Sequence, residues 1–216
     1  MNDLDTTMQQ SHGYAFEIDH EYCGRYYKDV KTWDDLVETN IAFLEGRQPC
    51  TFYYGNTFKD DAYLDDTHRM EDDLLRLHRE FGIFTYNGHS SMLEDRHRQR
   101  GFIEFVCEKS YTLAERLLSD QRIYAFVREE NPDGTSSILH NCPESINLTE
   151  PRGSSFNLAI WEESNELLGV SEGLDGVHAL LQDAMYVFVC TREFPSHHGR
   201  HQEVTRCVLD ALEGRN

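Results

Sequence analysis

The chain has 216 residues, with 39 acidic against 20 basic side chains and a formal net charge of -19. This excess of negative charge excludes general binding to nucleic acids or anionic membranes, because both carry charge of the same sign. Hydrophobic residues make up 39% of the chain and aromatic residues 12%, which argues against intrinsic disorder and for a folded core.

From the sequence we expect neither export nor membrane insertion. It has no run of about 18 apolar residues that would cross a bilayer, and its polar N-terminus lacks the basic and apolar regions of a secretory signal. The six cysteines are scattered, without a Cys-x-x-Cys pair. We therefore expect buried free thiols and a cytoplasmic protein, in the host cytoplasm if the chain is viral.

The first half of the chain alternates between helical and strand-like patterns. Residues 1–31 lack periodicity and are predicted to form an N-terminal arm or cap, ahead of a single domain over 32–216. Within that domain, a helix is predicted from the Thr32–Asp35 capping box to Gly46. This helix is followed by a strand over 51–54, a helix over 66–81 capped by Gly82, and a strand over 83–86. Turn-forming residues 87–91 and an exposed charged segment over 92–100 come next.

The second half of the chain is predicted to contain more strands than helices. Strands are predicted over 101–107, 123–128, 136–140, 156–161 and 186–190, and helices over 112–120, 174–184 and 201–212. Asn131-Pro132-Asp133-Gly134 joins two of these strands as a hairpin. Thr112 is the predicted N-cap of its helix because Thr112–Glu115 matches a capping box. The whole order predicts an α+β fold (a mixed α/β sandwich), with a mixed sheet of about six strands and helices on at least one face.

The negative charge is unevenly distributed along the chain. Residues 1–75 hold 17 acidic and 6 basic side chains, and residues 129–216 hold 15 acidic and 5 basic ones. Residues 76–128, in contrast, hold 7 acidic and 9 basic side chains. The densest basic part of this middle segment is Arg96–Arg100. Arginine suits bidentate binding of carboxylate or phosphate, so one interpretation is an anion site beside residues 88–91. The alternative is a solvated loop whose arginines pair with the acidic flanks.

Another candidate region precedes the last predicted helix. His197, His198 and His201 form the densest histidine cluster, and imidazoles can ligate zinc or nickel. No further ligand stands at a diagnostic spacing, so we expect no metal and no other cofactor, although metal binding by this cluster stays open. Gly199 and Arg200 lie where ligands of α/β proteins often bind, at a predicted strand-to-helix junction. The alternative is that Arg200 pairs with an acidic group at the surface.

The common catalytic fingerprints are missing from the sequence. There is no Gly-x-Ser-x-Gly elbow, phosphate-binding Walker loop or Gly-x-Gly-x-x-Gly motif. No catalytic residue is therefore predicted, and the question of enzymatic activity stays open.

Six short segments occur in an order that is similar to a known family. They are Thr51–Gly55, Phe81–Thr85, Asn87–Ser90, Gln99–Phe102, Tyr186–Val189 and Gly199–Arg200. In this order they resemble an uncharacterised family of actinobacteria and some large DNA viruses, over about residues 32–213. That family carries Ser-Gln-Pro-Gly in a loop where this chain has Ser90–Leu93. The resemblance implies no activity, but it points to one shared anion site made of Ser90, Gln99, Arg100, Gly199 and Arg200.

Two functions follow as hypotheses. The first is an acidic, non-enzymatic binding or regulatory protein that contacts basic protein partners, with electrostatic attraction raising the association rate. The second is a small-ligand enzyme or sensor with an anion pocket near Ser90, Arg100 and Arg200. A third interpretation gives the acidic surface no role beyond solubility, as in salt-adapted proteins. The oligomeric state stays open, with a homodimer among the alternatives.

Overall fold

The computed structural model describes most of the predicted domain. The described residues are 24–48, 50–51, 57–58, 70–94, 97–131, 135–151, 155–157, 174–196 and 203–215. Most of the predicted N-terminal arm lies outside them, but Tyr27 and Val30 near its end are buried in the core.

The described residues contain helices and strands in mixed order. The helices are α1 (Trp33–Leu44), α2 (Glu71–Phe81), α3 (Tyr111–Ser119), α4 (Asp175–Leu181) and α5 (Val204–Glu213). The strands are β1 (Cys50–Thr51), β2 (Thr57–Phe58), β3 (Phe84–His89), β4 (Met92–Glu94), β5 (His97–Gln99), β6 (Phe102–Glu108), β7 (Ile123–Glu130), β8 (Ser136–His140), β9 (Ser145–Asn147), β10 (Thr149–Glu150), β11 (Ser155–Asn157) and β12 (Ala184–Thr191). This confirms the predicted α+β class.

The principal sheet has five strands in the order β3-β6-β12-β7-β8, and every neighbouring pair is antiparallel. The shorter strands form three small sheets, β1-β2, β10-β5-β4 and β11-β9. All eight residues of β12 are buried, because this central strand is covered on both faces. Its nearly continuous apolar sequence is typical of such a strand.

The two faces of the principal sheet have different chemistry. One face packs apolar side chains such as Phe105 and Val187 against α2, α3 and α5. The opposite face, which we call the aromatic face, packs Phe126 and Phe188 against α1, α4 and Phe156. Helices therefore lie on both faces, which agrees with the prediction of helices on at least one.

Local capping signals position the first two helices. The Thr32 hydroxyl accepts a hydrogen bond from the Asp35 N–H at 3.2 Å, and the Asp35 carboxylate accepts one from the Thr32 N–H at 2.9 Å. This confirms the predicted capping box. Gly82 ends α2 with a φ of 62°, the left-handed conformation that glycine adopts without steric cost.

The predicted turn over residues 87–91 is wrong in its first part. Strand β3 continues to His89, with a bulge between Thr85 and Asn87 where its register against β6 shifts. A Cβ atom on Gly88 would lie 3.2 Å from the carbonyl oxygen of Phe102, so glycine serves here to let two strands approach. The segment over 92–100, predicted as an exposed charged stretch, forms the β4–β5 hairpin.

The N-cap of α3 also differs from the prediction. Ser110, rather than Thr112, precedes the helix, and its hydroxyl accepts a hydrogen bond from the Leu113 N–H at 3.3 Å. Thr112 is exposed in the first turn.

These two positions give a direct test of the helix start. Ser110→Ala is expected to lower the free energy of unfolding by about 1 kcal/mol because the cap is lost. Thr112→Ala is expected to change it by less than about 0.5 kcal/mol, since an exposed helical site tolerates alanine well. Urea unfolding followed by circular dichroism measures both values, and an equal loss in the two variants would contradict the assignment.

Candidate functional site

Three of the five predicted anion-site residues lie in one hairpin region. Gln99 on β5 pairs with Met92 on β4, and the Ser91 hydroxyl accepts a hydrogen bond from the Gly101 N–H at 3.1 Å. These contacts bring Ser90, which precedes Ser91, close to the segment that contains Gln99 and Arg100. Gly199 and Arg200 lie outside the described residues, together with His197, His198 and His201, so their contribution stays a prediction.

Ser90 is an unusual member of this region. Its side chain is buried, with 1% of the residue exposed, and its hydroxyl has no hydrogen-bond partner among the residues that the structure describes. A buried hydroxyl normally has a partner, because leaving it unbonded costs about 1–3 kcal/mol. Gln99 is half-buried on the central strand of the small β10-β5-β4 sheet.

Arg100 is held in place by backbone carbonyls. Its Nε donates to the carbonyl of Asn147 at 2.9 Å, and its Nη1 donates to those of Thr191, also at 2.9 Å, and Arg192. Its guanidinium also lies over the Phe194 ring, 4.1 Å from the centroid. Within the described part of the chain, no acceptor is bonded to its Nη2.

Two further arginines lie beside Arg100. The Arg192 guanidinium lies 4.9 Å from the centroid of the Tyr124 ring, and that of Arg100 lies 6.0 Å from the same centroid. Arg98 is exposed, pairs with Glu150 and lies 5.5 Å from the Phe194 centroid. We call Arg98, Arg100 and Arg192, with the rings of Tyr124 and Phe194, the arginine cluster.

The arginine cluster retains positive charge. Of its three guanidiniums, only that of Arg98 has a described carboxylate within 4 Å. Arg192 donates to the carbonyl of Ile123 at 2.7 Å, and a carbonyl group does not neutralise a charge. Arg122 is different, because Asp120 and Asp210 bind its guanidinium at 2.6 and 2.8 Å.

A row of side chains on the aromatic face leads away from the arginine cluster. Cross-strand pairing places His89, Phe102, Cys190 and Tyr124 side by side on β3, β6, β12 and β7. We call these four residues the ring row. Cys190 is fully buried, whereas the other three are half-buried.

The pKa of Cys190 in the ring row is influenced by two arginines of the arginine cluster. Burial raises the pKa of the Cys190 thiol to about 12, although the positive charges of Arg100 and Arg192 act to lower it. Both guanidiniums therefore lie close enough to influence this thiol. The thiol itself stays protonated near neutral pH and is not a nucleophile.

The next row of the aromatic face contains a buried carboxyl group. The Asn87 amide donates to Glu104 Oε2 at 3.0 Å, and Glu104 is 7% exposed. Burial raises the pKa of Glu104 to about 7, and the hydrogen bond from Asn87 partly opposes this increase. A carboxyl group with this pKa can hold or release a proton near neutral pH.

The sequence prediction did not include Glu104 or Arg192. The available signal for Glu104 is an acidic residue in the middle of the apolar run Phe102–Cys107, at a position that shares one face with Phe102 and Val106. Arg192 directly follows the most apolar strand, β12, but nothing in its neighbours distinguishes it from a surface arginine.

No group of three or more metal-binding side chains occurs in the described residues. Four of the described cysteines, Cys107, Cys142, Cys190 and Cys207, are buried free thiols. None of the helices within the described ranges has the length and apolarity needed to cross a membrane. Comparison of the chain with models of known protein families and with curated proteins gives no match.

Proposed function

We propose that the protein is a small-ligand enzyme or sensor that binds an anion-bearing molecule at the arginine cluster. The observation that carries this proposal is that the Arg100 and Arg192 guanidiniums both lie over one ring, Tyr124, with no described carboxylate within 4 Å of either, in a chain of net charge -19. An anionic group would complete the charge balance of this pair.

The chemistry of the cluster favours a phosphate or carboxylate. Guanidinium groups bind both through two parallel hydrogen bonds. Carbonyl bonds already fix Arg100 and Arg192, so little side-chain entropy is lost when a ligand binds. The Ser90 hydroxyl, which has no hydrogen-bond partner among the described residues, lies just before the β4–β5 hairpin and adds a polar group to this region.

The proposal is tested with pyrophosphate as the probe, by isothermal titration calorimetry at low salt. The wild-type chain is expected to bind it saturably. The double variant Arg98→Gln, Arg192→Gln is expected to bind at least tenfold more weakly, because each charge-assisted hydrogen bond contributes about 1.5–3 kcal/mol.

The matched control is the double variant Arg47→Gln, Arg79→Gln. It removes the same charge from two exposed arginines, but both of these already pair with Glu45. Its affinity for pyrophosphate is expected to stay within twofold of wild type. Equal losses in the two double variants would indicate only bulk electrostatics, and absence of saturable binding to wild type would overturn the proposal.

A second candidate function, binding to basic protein partners, is favoured by the pattern of ion pairs. In the described residues, eight basic side chains pair with carboxylates of the same chain, and these are Arg47, Arg76, Arg79, Arg98, Lys109, Arg122, Arg206 and Arg215. About half of the basic side chains in the described ranges are thereby paired within the chain. The excess carboxylates are left to attract a basic surface in the cytoplasm, where we propose that the protein acts.

Affinity capture at increasing salt tests this second function. Partners identified by mass spectrometry are expected to be enriched in basic proteins, and their retention is expected to fall steeply between about 50 and 200 mM salt, because screening weakens contacts between exposed charges. Partners without basic bias, or retention independent of salt, would count against it.

A further inference from the structure

Strand β8 forms one edge of the principal sheet, and its outer side is accessible to solvent. Each of its five residues is exposed or half-buried, and Leu139 keeps 49% of its surface exposed. Strand β3 at the opposite edge is protected, because a bulge interrupts it between Thr85 and Asn87 and the Asn40 amide on α1 donates to the Thr85 carbonyl. The two edges of the sheet therefore differ in their ability to accept a further strand.

Two backbone hydrogen bonds that flank β8 fix which of its groups face outward. The Asn131 N–H donates to the Thr135 carbonyl at one end of the pairing with β7, and the Asn141 N–H donates to the Ala125 carbonyl at the other end. Both bonds join directly opposed residues, so every second residue between them bonds to β7. The residues that alternate with these turn their N–H and carbonyl groups away from the sheet.

Ser136, Ile138 and His140 are the residues of β8 whose backbone groups turn outward in this way. No described residue bonds to the outward N–H and carbonyl groups of Ile138 and His140. Ser137 and Leu139, in contrast, lie at the positions that bond to β7. A row of N–H and carbonyl groups without partners at a sheet edge is a template for another strand.

The side chains of β8 favour a second copy of this chain as the added strand. The strand reads Ser-Ser-Ile-Leu-His and contains no acidic residue, lysine, arginine or proline. Charged residues and proline are the ones that protect edge strands from pairing. Two copies of a chain of net charge -19 repel each other least where their surfaces carry no charge, and pairing of β8 with itself brings two such uncharged strands together.

We propose that two copies of the chain associate through β8, with the two strands antiparallel across a two-fold axis at Ile138. In this register Ile138 lies opposite its own counterpart and Ser136 lies opposite His140 of the second copy, so the outward groups of both strands bond to each other. The two five-stranded sheets become one continuous sheet. The two Leu139 side chains become diagonal neighbours on one face, about 7–8 Å apart. This surface uses no residue of the arginine cluster and does not depend on the anion-binding function.

Sedimentation velocity of the wild-type chain tests the association. The weight-average sedimentation coefficient is expected to rise to the dimer value between about 1 and 500 μM chain. Leu139→Glu is expected to weaken dimerisation at least about tenfold, because it places two carboxylates close together across the axis. The matched control is Tyr111→Glu, which adds the same charge at a ring that is 69% exposed on α3 and is expected to stay within about twofold of wild type.

Hydrogen exchange measured by NMR tests whether the association uses β8. The amide hydrogens of Ile138 and His140 are expected to exchange at least about tenfold more slowly in the dimer, because they become hydrogen-bonded. The amide hydrogen of Thr112, in the exposed first turn of α3, is expected to exchange at the same rate at every concentration.

A wild-type chain that stays monomeric over the whole concentration range overturns the inference and leaves β8 for a strand of a different protein. This result does not depend on any variant folding. A dimer that forms without slower exchange at Ile138 and His140 also overturns it, because the copies would then meet at another surface. Equal weakening by Leu139→Glu and Tyr111→Glu has the same consequence, since it would reflect net charge alone.

Discussion

Arg100→Ala is expected to lower the free energy of unfolding by about 3 kcal/mol, as measured by urea unfolding followed by circular dichroism. The guanidinium donates to the carbonyls of Asn147, Thr191 and Arg192. The two bonds to the residues at the end of β12 are partly buried, and a buried carbonyl without a donor costs about 1–3 kcal/mol. The third bond is exposed, so water replaces it at little cost.

The role of Arg100 in stability comes from its position between sheets. Its carbonyl partners belong to β9 in a small sheet and to the end of β12 in the principal sheet, so the side chain ties the two together. Arg100→Lys keeps the charge but lacks the planar fork that reaches several acceptors. It is therefore expected to lose more than half of the same stability.

Arg98→Ala is the matched control for Arg100→Ala. Arg98 lies two residues before Arg100, is exposed and pairs with Glu150 at the surface. An exposed ion pair contributes about 0–1 kcal/mol, so the control is expected to lose no more than that. Equal losses from the two alanine variants would contradict the assignment of Arg100 as a link between sheets.

The sequence predicted those elements whose signals are local. The capping box at Thr32, the left-handed Gly82 and the apolar run of β12 each depend on a few neighbouring residues, and the structure confirms all three. The sequence predicts that strand β3 ends at Tyr86, because Asn87 and Gly88 are typical of turns. Its pairing with β6, a contact between distant parts of the chain, overrides that local preference.

The same distinction between local signals and long-range contacts explains which parts of the candidate site the sequence predicted. Arg100 was found because basic residues cluster around it in the sequence, but its partners at Asn147, Thr191 and Arg192 lie 47–92 residues further along. The hydrogen bond from Asn87 to Glu104 likewise requires the register of β3 against β6. Local charge density therefore locates a candidate residue, whereas the groups that complete its site depend on the sheet.

The second large effect concerns the pH dependence of stability, in which Glu104 and His78 act in opposite directions. Burial raises the pKa of Glu104 from 4.5 to about 7 and lowers that of His78 from 6.5 to about 4. The contribution of Glu104 is fully present below pH 4.5 and is lost as the pH rises through 7. The contribution of His78 is fully present above pH 6.5 and is lost as the pH falls through 4. Each contribution is about 3 kcal/mol.

Between pH 4.5 and 6.5 the two contributions change with pH in opposite directions, so their pH dependences largely cancel in the wild-type chain. Single variants therefore reveal each pH dependence separately. In Glu104→Gln, the amide oxygen can still accept the hydrogen bond from Asn87 but the ionisable group is gone. The free energy of unfolding of this variant minus that of wild type is expected to increase by about 3 kcal/mol from pH 4.5 to 7.5. Urea unfolding across this range measures the difference, in which the titration of all other groups cancels.

His78→Gln is the control with the opposite sign. His78 is 2% exposed, contacts the Ile83 carbonyl through Nδ1 and lies 3.2 Å from the Thr85 hydroxyl through Nε2. The free energy of unfolding of this variant minus that of wild type is expected to decrease by about 3 kcal/mol from pH 4 to 6.5. A difference for Glu104→Gln that stays constant with pH would show that Glu104 does not hold its proton in the folded chain. It would then stand on the aromatic face as a permanently charged carboxylate that accepts the hydrogen bond from Asn87.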